Sequence, residues 1–197
     1  MAEKPVKRTG KSLRTMQRIL DSAVQEFAAH GMSGSRVERI ADNAAAKKPR
    51  IYDYFGDKEG LFQAVMQREL GNTSKAVPFD PGHLPEYAGR LFDYAHDHPA
   101  VMRLMMWNAM EPGRDGTGSG GFERHIEAIR ELQEKGEISR ANPAEFILTL
   151  IVSLASALSA ANPIGTAVLG RLSEKKAALR NCIMETVRMI CEDKRQA

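Results

Sequence analysis

Ser33-Gly-Ser-Arg-Val-Glu-Arg-Ile-Ala-Asp-Asn-Ala-Ala-Ala-Lys-Lys-Pro-Arg-Ile-Tyr-Asp-Tyr-Phe-Gly-Asp-Lys58 reads as two short helices joined by a tight turn, with cations gathered on the second. Ser35 and Glu38 have the spacing of a capping box, which marks a helix start. Val37, Ile40 and Ala41 give that helix one apolar face. The turn falls around Asn43 to Ala46. Pro49 suits the first turn of the next helix, where a missing N–H costs little. Ile51 and Phe55, four residues apart, form its buried side. Lys47, Lys48, Arg50, Asp53 and Tyr54 are left to project elsewhere.

Those cations sit badly for stability. A helix N-terminus carries partial positive charge, so Lys47 and Lys48 oppose the dipole by about 0.3 kcal/mol or more each. A polyanion offsets the misplacement, because duplex DNA carries a phosphate charge about every 1.7 Å along its axis. In a helix-turn-helix, the first residues of the second helix enter the major groove. Arg50 and Lys48 are therefore expected to reach guanine edges, while Arg36, Lys47, Tyr52 and Tyr54 are assigned to the DNA backbone. Core packing with a surface hydroxyl is the alternative for both tyrosines.

Ile40-Ala41 through Ile51-Tyr52-Asp53-Tyr54-Phe55-Gly56-Asp57-Lys58-Glu59-Gly60-Leu61 resembles the DNA-binding signature of the tetracycline-repressor (TetR) family. The likeness begins near Thr15, includes Gly31 and continues to about Leu70. The chain departs from the usual pattern at Ala45, where a turn glycine is common, and at Lys47, where a serine cap is common. At Glu38 several members carry a cation or polar residue, and here Glu38 is taken as a capping residue. The resemblance implies a repressor that binds a double-stranded DNA operator as a homodimer and loses DNA affinity when a small molecule binds its helical C-terminal part. It also favours a phosphate contact for Lys58, which otherwise reads as an exposed lysine at a helix start.

The remaining composition fits this. The chain has 197 residues, 43% hydrophobic and 27% charged, which is globular rather than disordered. The net charge is only +3, but residues 1–60 hold 12 Lys and Arg against 8 Asp and Glu, while residues 61–197 hold 16 against 17. The basic excess lies with the helix-turn-helix. Lys4, Lys7, Arg8 and Lys11 form a basic arm over residues 1–12 with no apolar stretch of a secretory signal behind it. Cys182 and Cys191 are too few for a disulfide framework and fall on opposite sides of one helix. They read as small hydrophobes in a reducing cytoplasm, with redox sensing as the alternative.

The expected fold is all-α. A first helix from about Leu13 to Ala29, closed by Gly31, packs Ile19, Ala23 and Phe27 on the helix-turn-helix, making a DNA-binding domain over residues 1–56. Residues 57–197 form a helical domain for ligand binding and dimerisation. Its helices are expected from residue 57 to Leu70, from Pro85 to Asp97, from Ala100 to Met110, from Phe122 to Lys135, through Phe146 to Ala161, and from Ser173 to Asp193. Gly71 to Leu84 reads as a linker, and Glu111 to Gly121, with five glycines, as a loop. The segment 143–161 is apolar all round yet short for a membrane span, which needs about 20 apolar residues. It is expected to pair with segment 173–193 across a two-fold dimer, with Leu158 and Val187 among the contacts.

Val101-Met-Arg-Leu-Met-Met-Trp-Asn-Ala-Met110 packs four methionines and the only tryptophan into one helix. On the residues alone it is core or pocket; the family resemblance favours a pocket for a small apolar effector, lined by Phe92, Met102, Met106, Trp107 and Met110, with Tyr94, His96 or Asn108 as polar anchors. The fourth helix would couple it to the DNA domain. No cofactor and no metal is expected. Two rivals remain: a DNA-binding regulator governed by a protein partner or thiol oxidation, and a helical enzyme or metal protein using His96, Asp97, His98 and His125. Adjacent residues on a helix point in different directions, which disfavours the second.

Overall fold

The computed structural model describes residues 10–110, 120–159, 162–165, 167 and 175–192, and within them the chain is helical without strands. The elements are α1 (Gly10–Gly34), α2 (Val37–Asn43), α3 (Lys48–Phe55), α4 (Lys58–Ala76), a 3-10 turn (Pro81–His83), α5 (Leu84–Asp97), α6 (Pro99–Met110), α7 (Gly120–Glu134), α8 (Ala144–Ser156) and α9 (Lys176–Cys191). They fall into two compact units, residues 1–70 and 71–197. The division lies inside α4, because Leu61, Phe62, Val65 and Met66 are buried in the first unit.

The first unit is built on the apolar stripe of α1. Ile19, Ala23 and Phe27 are fully buried, as are Ile40 of α2, Ile51 of α3 and Leu61, Phe62 and Val65 of α4. Phe27 meets Phe62 edge-on with ring centroids 5.0 Å apart. Burying such side chains contributes about 1.5–3 kcal/mol each. Gly31 takes φ 65° where the sequence places the end of α1, and one further turn follows the bend to Gly34.

The junction of α3 and α4 is the tightest in the unit. Gly56 closes α3 at φ 80°, a region that side chains resist. Asp57 then caps α4, its Oδ1 accepting the Gly60 N–H at 2.7 Å. A Cβ on Gly60 would lie 2.1 Å from the Phe55 carbonyl oxygen.

In the second unit α5 packs against α8 and α9, and α7 covers α8. Leu84, Tyr87, Ala88, Ile129, Ile147, Leu148, Ile151 and Val187 form the core. Gly89 lets α9 approach closely, since a Cβ there would sit 2.9 Å from Met184 Sδ. Arg180 Nε donates to Asp93 at 2.8 Å and Lys176 Nζ to Asp97 at 2.8 Å, tying α9 along α5.

Several boundaries differ from those read in the sequence. Residues 71–76 extend α4 rather than opening a linker; Gly71 alone costs about 1 kcal/mol in a helix, which the continuing turns absorb. Gly120 and Gly121 belong to α7, and the rest of the expected glycine loop, 111–119, lies outside the described residues. α8 ends at Ser156, five residues early. There the Ser156 hydroxyl donates to the Val152 carbonyl at 2.8 Å, and from Ala157 the backbone turns to i→i−3 bonds. Val187 is fully buried in its own core, so it is no subunit contact. Gly60→Ala is expected to lower the unfolding free energy by about 2–3 kcal/mol, because the atom it strikes is backbone. A urea midpoint equal to that of the parent would show that the junction relaxes freely.

Candidate nucleic-acid interface

The turn between α2 and α3 depends on Ala45, which adopts φ 47° where glycine is the usual choice. The Ala46 N–H donates to Ala41 at 2.9 Å and Ala45 N–H to Asp42 at 3.0 Å, closing the turn. Arg18 of α1 reaches the Ala45 carbonyl at 3.5 Å. Pro49 sits in the first turn of α3, as its missing N–H allows.

The start of α2 is held differently from the capping box. Arg36, not Ser35, is the N-cap, and its side chain makes no capping bond. Ser35 Oγ instead donates to the Met32 carbonyl at 2.8 Å. The capping role passes to Glu26 of α1, whose carboxylate accepts the Arg36 N–H at 2.9 Å and Arg39 Nε at 2.8 Å. Glu26 is buried. Burial pushes its carboxyl up, but Arg39 and the Arg36 N–H outweigh that and leave it below the ordinary range. Glu38, released from the cap, pairs with Lys48. Hydrogen bonding to Lys48 holds the Glu38 carboxyl low and raises the Lys48 ammonium.

The cations are brought to one end of α3. Arg36, Lys47, Lys48 and Arg50 are exposed, and Tyr52 is exposed at 41% despite its ring. Lys48 lies 5.8 Å over the Tyr52 ring and Arg50 5.9 Å over the Tyr54 ring, each one turn along the helix. Arg50 also stands 3.9 Å from Asp53. These contacts limit the rotamers of both cations without burying them. Tyr54 is half-buried, its hydroxyl 3.0 Å from Ser12 Oγ at the start of α1. Lys58 is half-buried and donates to the Ser35 carbonyl at 3.3 Å, which leaves two of its three N–H groups.

Sequence reasoning missed Glu26, Arg39 and Ser12. The signal for Glu26 was present, since it lies seven residues after Ile19 and three after Ala23 and so on the buried stripe of α1. A carboxylate there needs a partner.

In the second unit the residues expected to bind an effector are divided. Phe92 is buried on α5, with His96 one turn on and their rings 6.3 Å apart. Tyr94 leaves the opposite side of α5, accepts from Thr73 at 3.2 Å and stacks on His98 at 4.0 Å. On α6 the buried face is Val101, Leu104 and Asn108. Met102, Met106 and Trp107 are half-buried beside it, and Met110 is exposed. Asp97 is engaged with Lys176 and His98 with Tyr94, so His96, Asp97 and His98 do not converge. Among the described residues no group of three or more His, Cys, Asp and Glu could hold a metal ion. Cys182 is exposed, and burial pushes the Cys191 thiol up to about 11. No described helix is long and apolar enough to cross a membrane.

Residues 19–65 match the family model described as bacterial regulatory proteins, tetR family. Residues 83–189 match the tetracyclin repressor-like C-terminal domain. The chain belongs to the TetR family. An HTH-type transcriptional repressor of Streptomyces coelicolor, SCO4008, is 34% identical over 183 residues, which is 90% of this chain and 95% of that protein. The HTH-type transcriptional repressor NicS of Pseudomonas putida is 31% identical over 51% of this chain and 50% of its own. The crystal structure of SCO4942 from Streptomyces coelicolor superposes with a TM-score of 0.77 at 32% identity, over 87% of this chain and 97% of that one. The exposed cations of α3 are thus those of a TetR-family DNA-binding transcriptional regulator.

Glu26 carries a stability prediction. Its folded pKa is lowered, so its contribution is present above the unfolded value and is lost as pH falls through the folded one. Glu26→Gln is expected to cost about 2 kcal/mol at pH 7, through the weakened hydrogen bonds to Arg39 and Arg36, and to cost less as pH drops below about 4. Thermal melts of both proteins at pH 7 and pH 3.5 would show a gap that narrows; a constant gap would mean that Glu26 acts only through packing.

Proposed function

We propose that this TetR-family regulator is a repressor that reads its operator with Arg50 and Lys48 and releases it when a small, largely apolar molecule binds the second unit. The observation that carries the first half is the placement of exposed cations at the start of an eight-residue helix with one fully buried side chain, Ile51. Arg50 and Lys48 project from the first turn, where a recognition helix meets base edges. A good bidentate contact to guanine contributes about 1–3 kcal/mol of discrimination. Arg36, Lys47, Tyr52, Tyr54 and Lys58 are assigned to sugar and phosphate. The similarity to SCO4008 and NicS, both transcriptional repressors, supports the sign of the regulation.

Arg50→Ala is expected to abolish the preference for operator over random DNA while weakening non-specific binding less. Lys47→Ala should weaken both alike and lower the salt slope by about one. Fluorescence anisotropy on both duplexes at several salt concentrations checks this. Equal losses on the two DNAs for Arg50→Ala would make Arg50 a phosphate contact.

Assembly as a homodimer rests on what α8 and α9 leave uncovered. Phe146 and Val152 of α8 are 48% and 39% exposed, and Met189 of α9 is 52% exposed. Exposed apolar side chains on neighbouring helices are the usual material of a subunit interface. We assign segments 143–161 and 173–193 to a two-fold four-helix contact, which would set two copies of α3 about 34 Å apart on successive major grooves. Val152→Glu, at an exposed position, should yield a folded monomer in analytical ultracentrifugation with operator affinity reduced at least a hundredfold. A dimer that persists in this variant would place the interface elsewhere.

The effector site is assigned to Phe92, His96, Met102, Met106, Trp107 and Met110, with Asn108 at its margin; Tyr94, on the opposite side of α5 and engaged with Thr73 and His98, is left out of it. Half-buried methionines beside a buried face suit an apolar guest, because they can repack around different shapes. Binding that favours a wider spacing of the recognition helices weakens DNA binding by its affinity ratio for the two states. Trp107 is the sole tryptophan, so ligands that release the operator should change its emission. Release with unchanged Trp107 emission would move the site.

A further inference from the structure

The five cations assigned to DNA differ in their company. Lys48 is ion-paired with Glu38 of α2, and Arg50 stands 3.9 Å from Asp53. Among the described residues, Arg36, Lys47 and Lys58 have no carboxylate within ion-pair distance. The two paired cations are those assigned to base edges, and the three others are those assigned to phosphate. Each paired cation also lies over a tyrosine ring one turn along α3.

Stability does not account for the Glu38–Lys48 pair. The side chains of Lys48 and Glu38 are 45% and 61% exposed, and exposed pairs contribute little to folding. Hydrogen bonding to Lys48 holds the Glu38 carboxyl low, so it is ionised near pH 7. It therefore presents a negative charge on the surface that meets a polyanion, where every phosphate it approaches repels it. The two kinds of DNA contact ask different things of a cation. A phosphate contact draws on net charge, which an acidic partner would cancel. A base edge is neutral and asks for donors in fixed directions. Lys48 carries three N–H groups, of which Glu38 takes one and leaves two. A carboxylate beside a reading cation thus removes its pull on the phosphates of any sequence and keeps its donors.

We infer that Glu38 is a specificity-determining residue: its carboxylate neutralises Lys48 toward phosphate and aims the ammonium at a base edge. This rests on the reading of Lys48 given above. Glu38 acts through Lys48, as a positioning residue with no base contact of its own. Selectivity then comes from weaker binding to the wrong DNA. The protein gives up affinity on every sequence and regains it only where Lys48 meets its guanine. Asp53 stands to Arg50 in the same relation, across a wider gap.

The test uses the full chain, an operator duplex selected by the protein from a random-sequence pool, and a scrambled duplex of the same length. Fluorescence anisotropy at several salt concentrations gives affinity and salt slope for the parent, Glu38→Gln, Lys48→Ala and the double variant. Glu38→Gln is expected to bind the scrambled duplex more tightly, with a salt slope steeper by about one, as Lys48 turns to phosphate. The ratio of operator to scrambled affinity should fall about fivefold or more. In the Lys48→Ala background the same substitution should leave that ratio unchanged. The melting temperature of Glu38→Gln should stay within about 2 °C of the parent's. An equal change on the two duplexes would make Glu38 a simple surface charge or a structural residue. A ratio that falls just as far in the Lys48→Ala background would make Glu38 a base reader itself. Either result overturns the proposal while Lys48 keeps its role. Lys48→Ala with an undiminished ratio is a different failure, which removes the base reading and the role of Glu38 with it.

Discussion

α3 buries only Ile51 completely, so its position depends on its two ends rather than on its own packing. One end is the Ala45 turn, held by backbone bonds to α2. The other is the Gly56–Gly60 junction, where Asp57 caps α4 and Gly60 sits against the Phe55 carbonyl. Because α3 spends so little surface on the core, five of its eight residues, Lys48, Pro49, Arg50, Tyr52 and Asp53, are exposed towards a partner. That is the condition for a reading helix. It also explains why Glu26 matters: by binding the Arg36 N–H and Arg39 together, it fixes α2, and α2 carries the turn.

Much of this was legible in the sequence, and the failures have physical causes. The order of helices followed from apolar spacing and from Pro49, Pro85 and Pro99 at helix starts. The helix-turn-helix was legible because a run of cations at a helix N-terminus contradicts the dipole and needs another explanation. The capping box failed because Glu26, remote in sequence, offers a better acceptor than Ser35. The extension of α4 through Gly71 was missed because one glycine is a weak breaker inside a long helix. The core position of Val187 was invisible, since a stripe of Ile183, Val187 and Ile190 shows that a face is buried but not against what.

The candidate sites were legible to different degrees. The cations of α3 lie where charge and spacing place them, although their partners Glu38, Tyr52 and Tyr54 emerge only from the fold. The stacking of His125 on Phe79 could not be read beforehand, because the two residues come from separated segments. Methionine-rich α6 drew notice by composition, whereas orphaned polar atoms such as Arg90 Nε are a property of packing alone.

In the proposed complex, two copies of α3 read one face of a duplex. A hydroxyl-radical footprint of the full-length protein on operator DNA tests it most directly. Two protected patches are expected on the same face of the duplex, their centres about one turn or 10 base pairs apart or a multiple of it. A single patch, or continuous protection without that spacing, would contradict it.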